Sequence, residues 1–412
     1  MHRLALAMIV KNEAPNIVRC LESLYSQINY YVICDTGSTD NTKEIIKNFF
    51  DEKGIPGEIL DHEWKDFGYN RSRAIEACEG KAQWVMMIDA DDFIQGKIPV
   101  ESFNDNLDGY VVKIQRGEFV WYRGQLFNIA RTKWWYEEPL HEYAICRQPM
   151  HVEKLEGDYR WEVRTEGCRS RTFGNDIEKY KNDYEVLKKY LNEDPNQPRK
   201  QFYAAQSAFD ARMFETAEKE YLKRTTLGNW AEEIFYSWLR VGICREIMGR
   251  PMENIADAFM QAYEVKPDRA ESLYHLSCIY RKHERPRNAF LAGAMALSIP
   301  MPTNDILFVD GANYKWGILD EVGTTAFYVG KYHMGLAACE KLLEENYFPE
   351  EQRARIENNK KCYVEVISKM QEQNNAQVAA QTKEMNEKLQ KVQEKSFKTT
   401  LDLKPETLLA KL

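Results

Sequence analysis

Three aspartates stand within four residues at the end of an apolar run, in WVMMIDADDF at residues 84–93. Asp89, Asp91 and Asp92 repel one another there unless a cation or a set of hydrogen-bond donors lies among them. Two earlier apolar runs end in a similar way: MIVKNE supplies Asn12 and Glu13, and ICDTGSTD supplies Asp35 and Asp40. Carboxylate oxygens select hard ions, so Mg²⁺ or Mn²⁺ bridged to a phosphate-bearing substrate is the chemistry such ends suit.

The elements that position them follow from periodicity. Up to about residue 115 the chain alternates apolar runs with amphipathic segments, the pattern of βαβ units and a largely parallel sheet. Strands are expected at 4–10, 30–35, 58–60, 84–88 and 108–114. Helices are expected at 42–50, at 70–78 and after the first strand, where Asn12 can cap and Ile17, Cys20, Leu21 and Leu24 share one face. Ligands of such sheets bind at the carboxyl ends of the strands, where strand order switches, so the acidic ends should converge on one edge. Residues 116–175, rich in Trp, Tyr, Arg and Glu, read as mixed loops and strands that carry binding groups.

From about residue 176 the pattern is helical. MFETAEKEYL, PMENIADAFMQAY, RPRNAFLAGAMAL and KYHMGLAACEKLL recur, and anchored on Phe214, Met252, Pro286 and Tyr332 they are spaced 38, 34 and 46 residues apart. That is close to the ~34-residue period of tetratricopeptide repeats, with an insertion at 300–317 in the last interval. Stacked helix pairs offer an extended surface for a partner or polymeric acceptor, or else brace the first domain. After residue 350 the composition turns to Gln, Lys, Glu and Asn, as in a solvated helix or frayed tail. The expected domains are therefore 1–175, 176–350 and 351–412.

Composition narrows the function. With 412 residues and 44% hydrophobic content the chain can bury a large core. A net charge of −8 argues against a sequence-independent nucleic-acid binder. Nine cysteines, with no C-x-x-C pair, read as core thiols in a reducing compartment. The N-terminal MHRLALAMIVKNE has an apolar run of seven residues ending in charge, a strand rather than a signal peptide, and no run approaches the length of a membrane span. The expectation is a soluble, cytoplasmic protein.

MIVKNEAPNIVRCLESL, VICDTGSTDNT, DFGYNRSRAIEAC and WVMMIDADD resemble the successive motifs of the family 2 glycosyltransferases, which have the GT-A fold. The resemblance covers residues 4–93, and the helical remainder is similar to a subgroup with tetratricopeptide-like repeats after the transferase domain. It implies inverting transfer of a sugar from a nucleotide diphosphate donor, with a divalent metal; UDP-glucose is the donor by family habit. The acceptor would be a glycan or a protein side chain, possible cargo of the helical repeats. Carried over, Val10, Asn12 and Glu13 would line the base and ribose pocket and Asp35 would bind uracil or ribose. Asn70 and Arg73 would lie near the diphosphate. Asp89 would bind ribose or a metal-bound water, and Asp91, after Ala90, the metal.

Inversion requires a base on the acceptor side, while a metal can neutralise the departing diphosphate. In WWYEEPLHEYA, His141 and Glu142 resemble a His-Glu pair of the repeat-bearing subgroup, with Glu142 as base and His141 as a metal or diphosphate contact, or the reverse. Asp92 could orient acceptor or donor hydroxyls. Glu166 stands where the subgroup has a metal-binding His, so the third metal ligand is His141, His151 or Glu166. Two rivals compete: an inactive repeat scaffold, and a nucleotidyltransferase, which usually needs a Gly-rich loop after the first strand where this chain has VKNEAPN.

Overall fold

The structure, a computed structural model, describes residues 1–116, 119–147 and 149–401. Positions 117, 118 and 148 of the mixed region, and 402–412 of the tail, lie outside the described residues. The chain divides into two compact units, residues 1–228 and 229–412. The change from strands to helices near residue 175 therefore falls inside the first unit, which also holds the first three long helices.

The first unit is built on a nine-stranded sheet. Its strands are β1 (His2–Val10), β2 (Tyr30–Asp35), β3 (Gly57–Asp61), β4 (Ala82–Met87), β5 (Phe93–Gly96), β6 (Gly109–Arg116) and β7 (Phe119–Asn128), with β10 (Val152–Lys154) and β11 (Tyr159–Glu162). β8 (Trp134–Glu137) and β9 (Tyr143–Cys146) form a separate antiparallel pair. The order is β3-β2-β1-β4-β7-β6-β11-β5, with β10 beside β6. β3, β2, β1 and β4 run parallel, and β7 enters antiparallel to β4. The order turns at β1, flanked by β2 and β4, and the crevice above that point is where a parallel α/β sheet takes its ligand.

Strand β1 shows why the apolar run is continuous. Its alternate residues Leu4, Leu6, Met8 and Val10 join one core, with Ile17, Cys20, Leu21 and Leu24 of α1 (Ile17–Leu24) and Ile46, Phe49 and Phe50 of α2 (Thr42–Lys53). Ala5 and Ala7 face the opposite core, with Ala74 and Ile75 of α3 (Phe67–Glu76) and Trp134 of β8. Both faces are covered, so neither can be polar. The capping expectation is corrected: Asn16 stands at the cap position of α1, and Asn12 instead adopts a left-handed conformation (φ 53°) and accepts from the Thr39 and Asp40 amides.

A short helix α4 (Cys168–Phe173) and helices α5 (Asp176–Glu193), α6 (Pro198–Asp210) and α7 (Phe214–Thr225) complete the unit. Leu187 and Leu191 of α5 pack with Leu140 and with Ala204 of α6.

The second unit is helical: α8 (Ala231–Ile247), α9 (Met252–Val265), α10 (Glu271–Lys282), α11 (Pro286–Leu297), α12 (Ile318–Thr325), α13 (Tyr332–Glu345) and α14 (Arg353–Leu401). The repeat anchors Phe214, Met252, Pro286 and Tyr332 each begin a helix, α7, α9, α11 and α13, and each of these packs on the helix before it. The insertion is held by Arg269, fully buried, which binds Glu271, Asp305 and the carbonyls of Leu307 and Phe308. Ile356 and Tyr363 anchor α14 in the core, and from residue 368 to 395 its side chains are exposed. No helix among the described residues is long and apolar enough to cross a membrane, and all nine cysteines are unpaired.

Candidate active site

A cavity of about 900 Å³ opens over the carboxyl ends of β1 and β4. Val10, Asn12 and Glu13 line it from the first strand end, Asp89, Ala90 and Asp91 from the second, and His141 and Glu142 from the loop between β8 and β9. The acidic ends of β1 and β4 thus meet at one cavity, whereas Asp35 and Asp40, after β2, do not line it.

Arg71 organises this edge, and the sequence reading passed over it. It lies on the buried stripe of α3, with Ala74, Ile75 and Cys78 following at helical spacing, and it is 7% exposed. Its Nη2 donates to Asp89 Oδ1 at 2.5 Å and its Nε to Glu142 Oε1 at 2.8 Å. Burial pushes the Asp89 carboxyl up, but Arg71 and then Arg123 pull harder and leave it below the ordinary range. Arg123 faces the cavity from β7, where the register Met86↔Leu126, continued, sets it opposite Asp89. Its Nε and Nη2 are buried without hydrogen-bond partners, and Asp92 lies 3.9 Å from Nη2.

Backbone donors satisfy the neighbouring carboxylates. The amides of Glu166 and Gly167 donate to Asp91 Oδ2 at 3.1 and 2.8 Å, and the Cys168 amide to Glu13 Oε1 at 2.6 Å. Asn16 Nδ2 donates to Glu13 Oε2, and Arg171 ties α4 down through the Asn12 carbonyl and Glu13. A Cβ at Gly167 would stand 3.1 Å from Asp91 Oδ2, so any larger residue there would press that carboxylate aside by a few tenths of an ångström. Burial, then the charges of Asp89 and Glu13, push the Asp91 carboxyl up to about 6.

Other expected residues are placed differently. Asn70 is buried and holds the 63–65 turn through the Lys65 amide and Glu63 carbonyl. Arg73 is half exposed and pairs with Glu76 on the surface of α3, so neither lines the cavity. Asp92 lies beneath the site, 1% exposed, accepting from the Arg164 amide and Trp161 Nε1; burial and Asp89 push it up to about 8. Asp35 is buried behind the first strand end. Its Oδ1 accepts from the Gly37 and Ser38 amides, and its Oδ2 has no partner.

The three candidates for a third metal ligand do not join Asp89 and Asp91. His141 stacks on Tyr203 at 4.0 Å, His151 donates its amide to Asp108 Oδ2 at the far side of β6, and Glu166 pairs with Arg19 at 2.8 Å. Among the described residues no three His, Cys, Asp or Glu side chains form a metal cage. The pair Asp89 and Asp91 still fits Mg²⁺ or Mn²⁺ brought with a diphosphate, because such an ion takes one or two carboxylates and completes its shell with phosphate oxygens and water. The Asp91 carboxyl, raised by burial and then by the charges of Asp89 and Glu13, is one that a cation would stabilise in its ionised form.

The His141 ring is exposed at the cavity, stacked on Tyr203, and the protein crowded round it, then the charges of Arg169, Arg199 and Lys179, push its pKa down. Asn12 and His141, which line the cavity, and Glu138, three residues before His141, have left-handed backbones (φ 53°, 55° and 73°).

Residues 6–150 match the family model described as Glycosyl transferase family 2. The chain thus carries a glycosyl transferase family 2 domain, followed by helical repeats. It is 38% identical over 86 residues to the glycosyltransferase SunS of Bacillus subtilis (21% of this chain, 19% of that one). It is 37% identical over 93 residues to a TPR repeat-containing protein of Synechococcus elongatus (22% and 21%). To the lipopolysaccharide core biosynthesis glycosyltransferase LpsC of Rhizobium meliloti it is 32% identical over 85 residues (21% and 30%). The matches thus span about a fifth of the first two relatives. Among solved structures, Staphylococcus aureus TarS in complex with UDP-GlcNAc is 14% identical with a TM-score of 0.34, covering 64% of this chain and 89% of that one.

Proposed function

We propose that the chain is an inverting glycosyltransferase that moves a sugar from a UDP-sugar, UDP-glucose being the first candidate, to a hydroxyl or side chain of a glycan or protein. The observation that carries this reading is the convergence of Val10 to Glu13, Asp89, Asp91 and Glu142 on one cavity at the strand switch point. The nucleoside would sit against Val10 and Asn12, with Asp35, whose Oδ2 is buried without a partner, beside Val10 on the neighbouring strand. Asp91, with Asp89, would hold a divalent cation, which supplies charge neutralisation for the departing diphosphate.

Glu142 takes the proton from the acceptor as it attacks the anomeric carbon. Arg71 fixes that carboxylate and Asp89 with one guanidinium, so the base and the donor side are set by a single rigid side chain. His141, stacked on Tyr203 and facing the charges of Arg169, Arg199 and Lys179, is the poorer candidate for the base.

The test is Glu142→Gln. Sugar transfer should fall by about 100-fold or more, the ordinary worth of a general base. UDP affinity should stay within about twofold of wild type, because the amide still meets Arg71. Transfer at the wild-type rate would remove Glu142 from the mechanism.

A further inference from the structure

Arg71 and Glu142 come from two separate segments. Arg71 rides on α3, and Glu142 stands on the loop between β8 and β9, whose backbone turns left-handed at Glu138 and His141 (φ 73° and 55°). Residues other than glycine hold such backbones only where their surroundings impose them. Those surroundings include α5 and α6, which lie beyond the segment 6–150 that matches the family model.

Helix α6 takes the loop at three points. Lys200 Nζ pairs with Glu138 at 2.9 Å, and both side chains are largely buried (16% and 11% exposed). Leu140 packs with Ala204 of α6 and with Leu187 and Leu191 of α5. Tyr203 stacks on the His141 ring, centroids 4.0 Å apart and planes 11° from parallel. Lys200, Tyr203 and Ala204 stand three and four residues apart, so one face of α6 makes all three contacts. Helix α5 holds the other segment. The Tyr190 hydroxyl donates to Asp66 Oδ2 at 2.9 Å, while Asp66 Oδ1 caps α3 by accepting from the Tyr69 amide at 2.7 Å. Phe67, the first residue of α3, packs against the same apolar cluster as Leu140. The two helices thus grip both segments that must meet for Arg71 to bind Glu142.

We propose that Lys200 and Tyr203 of α6 are positioning residues for the candidate base: they fix the 138–142 loop so that the Glu142 carboxylate stands against Arg71 and toward the acceptor. This rests on the transferase reading, in which Glu142 takes the acceptor's proton, and adds to it the residues that set where that carboxylate lies. Neither Lys200 nor Tyr203 lines the cavity, so each acts through the loop and not on a ligand. Without Lys200 the Glu138 carboxylate is left as a largely buried charge without its cation, and the loop must move to hydrate it. A displacement of about 1 Å at a reacting group is enough to slow catalysis by about 100-fold. The nucleotide, held from the strand ends, is unaffected by that displacement.

The test measures UDP or GDP release from a panel of nucleotide sugars with Mn²⁺, water standing in for the acceptor, together with UDP affinity by titration. Lys200→Met and Tyr203→Leu should each lower kcat about tenfold or more, with UDP affinity within about twofold of wild type. Tyr203→Phe, which keeps the ring, should restore the wild-type rate. In a Glu142→Gln background, Lys200→Met should cost less than about twofold further, because its effect runs through the carboxylate already removed. Should Lys200→Met fail to fold, Tyr203→Leu beside Tyr203→Phe, alone and with Glu142→Gln, carries the same test. Wild-type kcat in the single variants, a tenfold loss of UDP affinity, or the same tenfold loss of rate with and without Glu142 would overturn the positioning role. Absence of release from any donor by wild type would instead sink the transferase reading, and the positioning role with it.

Discussion

Burial, then the charge of Asp89, push the Asp92 carboxyl up to about 8, against 3.8 for an ordinary aspartate. Between those values the folded protein keeps a proton that the unfolded chain has lost, so this residue makes stability fall as pH rises through the window. Asp92→Asn removes the contribution. Thermal unfolding of the nucleotide-free protein from about pH 5 to 9 should decline less steeply in the variant than in wild type; parallel curves would show that Asp92 is ionised in the fold. The contrast between Asp92 and Asp91, adjacent in sequence, marks what was legible at this scale. The acidic strand ends were visible because a carboxylate after an apolar run is rare without a ligand. Which carboxylate faces the cavity depends on alternation beyond the strand end, where Asp92 turns under toward Trp161. Arg71 was hidden for a related reason. In NRSRA both arginines look like surface residues, and the stripe Arg71, Ala74, Ile75, Cys78 is what tells the buried one from Arg73.

At the scale of elements, the site depends on how closely α3 approaches the loop that carries His141 and Glu142. Gly68, in the first turn of α3, has the Glu138 carbonyl so near that a Cβ would lie 2.4 Å from it. The obstacle is backbone, which cannot turn aside as a side chain would. Gly68→Ala should cost about 1–3 kcal/mol of stability by overpacking, and the displaced loop should lower the transfer rate more than UDP affinity. Unchanged melting and turnover would show that the loop moves freely. The five strands expected up to residue 114 and the four repeat helices were readable from periodicity, because each is decided by local burial, whereas β5 and the strands after β6 were not. The short helix α4 was not. Its six residues carry no apolar stripe, and it is held by Arg171 and by the amides it gives to Asp91 and Glu13, contacts made across some 75 to 155 residues of sequence.

The chain comprises a sheet unit, whose strand ends gather the candidate site residues Glu13, Asp89 and Asp91, and a helical unit. The alternation of βα segments and the switch to helices set this organisation from the start. The place where the compact units divide, at residue 228, could not be read off, because α5 to α7 have the same helical period as the repeats and differ only in what they pack against. The consequence is functional: α5, outside the segment that resembles a transferase, forms a wall of the cavity. The central claim is that this cavity splits a nucleotide sugar with Asp91 at the diphosphate. Its most direct measurement is release of UDP or GDP from a panel of nucleotide sugars with Mn²⁺ present, wild type beside Asp91→Ala. Wild type should release nucleotide from a UDP-sugar, and Asp91→Ala, folded as judged by its melting curve, should lose that release by about 100-fold or more. Equal release by the two proteins, or none from any donor by wild type, would contradict the account.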